Sequence, residues 1–167
     1  MTEVPGTTIV TVFGGSGFVG RNVVHALARA GYRIRVAVRR PSLANHVMPA
    51  GRVGQIALLR CDVRNEAQVA AAVQGADIVI NLVGILRPGG GRTFDNIHAE
   101  AAGAIARAAA KAGARRLIQV SAIGARADSR SLYASSKAQG EAQARAAFPH
   151  VTIVRPSIVF GPGDGFF

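Results

Sequence analysis

Residues 12–20 read VFGGSGFVG, four glycines in nine positions between a β-branched apolar run and an apolar stretch with helical spacing. A backbone this bare at the end of a strand needs a reason. Gly14, Gly17 and Gly20 form G-x-x-G-x-x-G: the first permits a tight turn, the second lets a pyrophosphate approach the main chain, and the third lets helix and strand pack closely. A helix starting beyond Gly17 offers unpaired N–H groups and the positive end of its dipole to phosphate. A glycine cluster alone also serves tight strand-to-helix turns for steric reasons, so the flanking pattern decides its meaning.

That pattern is a repeated alternation. Short β-branched runs at 8–13, 33–38, 55–61, 76–83, 116–121 and 151–155 alternate with Ala-rich stretches. Of these, 19–30, 66–73, 94–112 and 133–147 read as helices, with Gly31, Gly75 and Gly113 as caps past three of the ends. The strand runs are apolar at both parities, as in parallel strands covered on both faces. Right-handed crossovers then build an α/β fold, a Rossmann-type doubly wound parallel sheet with helices on both faces. The expectation is one NAD(P)-binding domain over 1–167. The closing RPSIVFGPGDGFF, ending on Phe166 and Phe167, predicts a break after strand six, with the C-terminal substrate lobe missing.

At 167 residues, 49% apolar and 17% charged, the chain can bury a core, which excludes a disordered polymer. No apolar run approaches the roughly 20 residues of a membrane span. The first residues, MTEVPGTT, lack the pattern of a signal or transit peptide, and the single Cys61 agrees with a reducing compartment, so a cytoplasmic address is expected. Twenty basic against 9 acidic residues give a formal charge of +11, which attracts phosphates, acidic lipids or an acidic protein face. The basic residues are scattered rather than blocked and aromatics are few, which argues against nucleic acid.

After the second strand, where NAD-preferring folds present a carboxylate to the ribose, the chain reads VAVRRPS. Arg39 and Arg40 stand there instead, and a guanidinium suits a 2′-phosphate, favouring NADP(H) with NAD(H) as the alternative; otherwise one of the two arginines is a solvated loop residue. After strand three, CDV places Asp62 to accept from the adenine amino group, or to cap the next helix. After strand four, NLVGI sets Asn81 and Gly84 on the floor beneath the cofactor. The expected cofactor contacts also include Ser16, Phe18 and Val19 in the first turn, Val63 beside Asp62, and Leu82 and Val83 beside Asn81. In SLYASSKAQGE, Tyr133 and Lys137 fall four apart on one helix face. An ammonium beside a phenol lowers the phenol's pKa and can hold ribose hydroxyls, which makes the pair a proton relay next to a nicotinamide.

VFGGSGFVG, CDV, NLVG, VSAIGA, YASSK and RPSIVFGPGD, in this order, resemble the short-chain dehydrogenase/reductase superfamily in its extended or atypical branch. VRRP, INLVGIL, YASSKAQGE and AFPHVTIVRPSIVFGPGD are most similar to the group containing the nucleotide-binding accessory subunit of respiratory complex I and its bacterial relatives. The resemblance implies Tyr133 as acid/base, Lys137 as the ribose-binding and pKa-tuning residue, and Pro156, Ser157 and Ile158 as a backbone lip facing the nicotinamide amide. It also implies a Ser or Thr after strand five to polarise a substrate carbonyl. Here that place falls at or near Ile123, leaving Ser121, Ser129 or Ser131 as substitutes. Where many extended members carry Asn, this chain has His98, read as a buried, satisfied histidine.

Two functions follow from these readings. One is an NADPH-dependent oxidoreductase or epimerase acting on a carbonyl or nucleotide-sugar substrate, with catalytic residues Tyr133, Lys137 and Ser121. The other, which the missing hydroxyl and the resemblance favour, is a protein that holds NADP(H) with little or no turnover. Such a protein belongs in a larger respiratory or acidic assembly, peripheral to the inner membrane through a partner.

Overall fold

The computed structural model describes residues 6–164; residues 1–5 and 165–167, including Phe166 and Phe167, lie outside the described residues. Six strands form one sheet: β1 (Ile9–Phe13), β2 (Arg33–Val38), β3 (Ile56–Arg60), β4 (Ile78–Asn81), β5 (Arg116–Val120) and β6 (Thr152–Val154). Every pairing is parallel, in the order β3-β2-β1-β4-β5-β6. The order reverses between β1 and β4, where doubly wound sheets leave a crevice at the strands' carboxyl ends.

Four helices connect the strands: α1 (Phe18–Arg29), α2 (Glu66–Val73), α3 (Ala101–Lys111) and α4 (Leu132–Ala147). In α1 the small or apolar residues Gly20, Val24 and Ala28 recur every four positions and form its buried face. Asn65 caps α2 by accepting from Gln68 N at 3.1 Å, and Ser131 caps α4 by accepting from Ala134 N at 3.4 Å. Helix α3 is buried on nearly every side. Its alanines and Gly103 let it lie close to both α2 and α4.

Two cores flank the sheet. On one face α2, α3 and α4 pack over Phe13, Val79 and Leu117, with Ile105 of α3 fully buried among them. On the other, α1 and the 3₁₀ stretch Asn45–Ala50 pack over Val10, Val12, Val36 and Ile80. Burying each such valine or isoleucine contributes about 1.5–3 kcal/mol. Coverage is less complete than the strand sequences imply: β6 is backed by the α3–α4 core through Ile153, but Val154 on its other face is 42% exposed, because α1 lies over the opposite half of the sheet.

The helix expected at 94–112 has two parts. A capping box opens it, with Asn96 N donating to Thr93 Oγ1 at 3.1 Å and Thr93 N donating to Asn96 Oδ1 at 2.9 Å. A wider π-helical turn, Asp95–Glu100, then leads into α3. That turn abuts α4 at Gly140, where a Cβ would collide with the His98 carbonyl oxygen. Gly140→Ala should therefore destabilise the fold by about 1–3 kcal/mol, read as a lower urea midpoint at unchanged slope.

Candidate functional site

The site begins at the first turn. Gly14 has φ 75°, and a Cβ there would sit 3.2 Å from the Leu82 carbonyl, so the turn lies directly against the end of β4. Gly17 caps α1 with extended backbone and no side-chain hydrogen bond, leaving the helix's first N–H groups facing the crevice. Gly20 lies so close to Gly14 and Gly15 that a Cβ would come within 2.7 Å of Gly15 Cα. The His46 ring lies 3.1 Å from Ser16 O and 3.2 Å from Leu43 O. Both are acceptors, so a neutral ring satisfies one bond at a time and an imidazolium both.

A cavity of about 520 Å³ opens over this turn. Of the residues expected to touch the cofactor, Gly14, Ser16, Gly17, Arg39, Arg40, Val63, Leu82, Val83 and Gly84 line it. Cys61, Ile85 and Arg92 line it too, without having been singled out from the sequence. Burial, and then the Asp62 charge, pushes the Cys61 thiol up to about 11, so it acts there as a small apolar wall. Arg92 arrives on the glycine-rich strap 89–92, whose Gly91 carbonyl accepts from Arg64 Nη1 at 3.1 Å and Asn96 Nδ2 at 3.0 Å. No sequence period marks such a strap.

Other expected contacts are placed differently. Asp62 accepts Arg64 Nε at 3.0 Å and Nη2 at 2.6 Å, and these hydrogen bonds hold its carboxyl down to about 2. It lines a neighbouring cavity, which shares Arg39 with the one over the glycine turn, and the guanidinium two residues on already forks onto its carboxylate. Asn81 is buried, and its amide is spent within the protein. Its Nδ2 donates to Gln119 Oε1 at 2.8 Å and its Oδ1 accepts from Val83 N at 3.0 Å, so it shapes the floor without facing the cavity. Phe18, Val19 and Gly20 form the first turn of α1 and do not line the cavity.

Tyr133 and Lys137 share one face of α4, with Lys137 Nζ 6.0 Å from the centre of the phenol ring. Burial pushes the Lys137 ammonium down from 10.5 to about 8, partly offset by the Glu141 charge. Burial also pushes the Tyr133 phenol up, opposite to the lowering expected from a neighbouring ammonium, because the ring edge is packed against His98 and Phe94. Beside them His98 Nε2 accepts from Ile85 N at 3.0 Å, which assigns the ring proton to Nδ1, 3.0 Å from Ser136 Oγ. Burial first, then the Lys137 charge, holds His98 down at about 4. It is the buried, satisfied histidine the sequence implied, and it pins the β4 loop to α4.

Ser121 Oγ is buried with no hydrogen-bond partner among the described residues and faces the Glu141 carboxylate, to which it contributes at longer range. Glu141 is itself buried and held by Arg155 through Nε at 2.8 Å and Nη2 at 2.7 Å. Burial alone would raise that carboxyl, but these bonds outweigh it and keep it below the usual range. Ile123 projects outward, 69% exposed, while its N–H donates to Pro156 O at 2.8 Å and so fixes the segment carrying Ser157 and Ile158 beside the β5 turn. Ser129 and Ser131 are spent on backbone N–H groups at the entry to α4.

An uncapped glycine turn at the sheet's reversal point, a cavity over that turn and a Tyr-Lys pair on the flanking helix define a dinucleotide-binding domain of the extended short-chain dehydrogenase/reductase type. The chain belongs to the NAD(P)H-binding family, whose model matches residues 14–161. It is 36% identical over 154 residues to the mitochondrial NADH-ubiquinone oxidoreductase 40 kDa subunit of Neurospora crassa, covering 92% of this chain and 41% of that protein. It is 37% identical over 159 residues to subunit 9 of the NADH dehydrogenase [ubiquinone] 1 alpha subcomplex of Mus musculus, covering 95% and 42%. A ceramide reductase of Caulobacter vibrioides is 38% identical over 156 residues, covering 93% and 48%. The chain thus spans less than half the length of these relatives. Among solved structures, a protein described as an epimerase from Burkholderia cenocepacia J2315 superposes with TM-score 0.78 at 22% identity, covering 97% of this chain and 58% of that one. The UDP-glucuronic acid 4-epimerase of Bacillus cereus, in complex with NAD, superposes with TM-score 0.72 at 19% identity, covering 93% and 58%.

Because the native Lys137 ammonium is harder to keep than the unfolded one, the unfolded chain holds an extra proton there between about pH 8 and 10.5. Stability from this group should rise with pH across that window. Against a Lys137→Met variant, the wild type should show a constant deficit below about pH 8 that shrinks toward pH 10.5 in parallel denaturation series. A deficit unchanged across the window would contradict the burial of this charge.

Proposed function

We propose that this chain is the NADP(H)-binding part of an accessory protein that holds the nucleotide with little or no turnover, in a respiratory assembly related to those of its complex I relatives. The observation that carries this reading is the turn after β5. The position where the superfamily resemblance calls for a carbonyl-polarising hydroxyl holds the outward-facing Ile123, and the nearby Ser121 hydroxyl is turned toward Glu141. An alkyl side chain cannot polarise a carbonyl, and the raised Tyr133 phenol is a poorer proton donor than a lowered one. The +11 charge supports docking on an acidic partner. Among the described residues no helix is long and apolar enough to cross a membrane, which agrees with attachment to the membrane's periphery through that partner. Arg39 at the adenine end of the crevice supports NADP(H) over NAD(H).

A second reading keeps the Tyr133–Lys137 pair in use, as a reductase or epimerase acting on a carbonyl or nucleotide-sugar substrate. The pair's placement on one face of α4 and the relationship to a ceramide reductase favour it. The two separate on one preparation. NADPH should co-elute with the purified protein on gel filtration and stay unoxidised, by absorbance, across a panel of aldehydes, ketones, ketolipids and nucleotide sugars. Turnover that disappears in Tyr133→Phe would overturn the binding-only reading. Arg39→Ala should weaken NADPH by about tenfold or more while changing NADH little, measured by fluorescence titration; equal losses would remove Arg39 from recognition of the 2′-phosphate.

A further inference from the structure

The adenine end of the crevice continues into a second cavity of about 360 Å³, lined by Arg39, Arg60, Asp62, Arg64, Asn65 and Gln68. Arg39 forms part of the wall of both cavities, so the second is an extension of the first rather than an unrelated hollow. The sheet register explains the convergence. Arg60 pairs directly with Val38 across β2 and β3, and Arg39 follows Val38, so both arginines stand at the carboxyl ends of neighbouring strands, where they line one cavity.

The polar groups between them are already committed. Asp62 is closed by Arg64 in a forked ion pair. Asn65 Oδ1 accepts from Gln68 N, and Gln68 Oε1 accepts from Asp62 N at 2.8 Å. Among the described residues, neither the Arg39 nor the Arg60 side chain makes a hydrogen bond or a salt bridge; the Arg39 charge acts on Asp62 only at longer range. What faces the cavity is therefore a pair of uncommitted forks of N–H donors beside an acid whose charge is neutralised. Two such forks match a phosphate monoester, whose terminal oxygens accept several charge-assisted hydrogen bonds.

We propose that Arg60 is a second specificity-determining residue, acting with Arg39 to clamp the 2′-phosphate of the dinucleotide in this cavity. The inference rests on the dinucleotide reading of the glycine turn and extends it to a residue on β3 that the sequence pattern alone does not single out. Asp62 and Arg64 then form the cavity's rigid back wall instead of contacting adenine.

The test titrates NADPH, NADH and the fragments 2′-AMP and 5′-AMP into wild type, Arg60→Ala and Arg60→Lys at fixed ionic strength, following intrinsic fluorescence or heat. Arg60 is exposed at a strand end, so both variants should fold, and their melting temperatures verify this. Arg60→Ala should weaken NADPH and 2′-AMP about tenfold or more and leave NADH and 5′-AMP within about twofold, with Arg60→Lys in between. A wild type that prefers NADPH while Arg60→Ala binds it equally well overturns the role of Arg60 alone. Equal loss of NADPH and NADH in Arg60→Ala overturns it too, as a general effect of charge. A wild type that binds NADH as tightly as NADPH overturns the phosphate clamp, and one that binds neither overturns the dinucleotide reading along with it.

Discussion

Helix α1 can begin over the end of β1 only because position 20 carries no side chain. With Gly20 against Gly14 and Gly15, the helix start is pressed onto the turn that feeds it. This fixes the direction of its uncapped N–H groups, and it does so by steric clearance rather than by hydrogen bonding. A methyl group there would push the helix off the strand end, and the cradle for a diphosphate would open with it.

From that fixed point the rest of the crevice follows by strand order. β4 lies beside β1, so the Leu82 and Val83 backbone forms the opposite lip directly against Gly14. β2 lies on the other side and delivers Arg39 and Arg40. β5 and α4 stand one strand further on and carry Tyr133 and Lys137. Each chemical part thus sits at a separate strand end, and the sheet alone sets their order along a bound dinucleotide.

The six strands, the four helices and the glycine turn were legible because they depend on local period and on backbone sterics, which a single sequence carries. The observed strand limits fall within two residues of the expected ones. That Arg39 and Val63 stand at strand ends on the cavity wall was legible for the same reason, since the end of a strand is a local property. Features set by distant partners were not. The Arg64 fork on Asp62 was hidden because the geometry of Arg64 belongs to the folded loop. The nearness of Ser121 to the Glu141 carboxylate, itself held by Arg155, was not legible because it arises only after α4 docks. The π-helical turn at Asp95–Glu100 has no period of its own; it forms where α4 meets the His98 backbone.

His98 has a consequence for how the crevice meets its surroundings. Its Nε2 stays unprotonated, and so able to accept the Ile85 N–H, until the solution is about as acidic as pH 4, so the imidazole latch between the β4 loop and α4 does not change state near neutral pH. Lys137, one turn of helix away from Tyr133, begins to change just above neutrality. Mechanical shape and electrical charge in this pocket are thereby assigned to different side chains, and ordinary drifts in acidity can tune the second while leaving the first untouched.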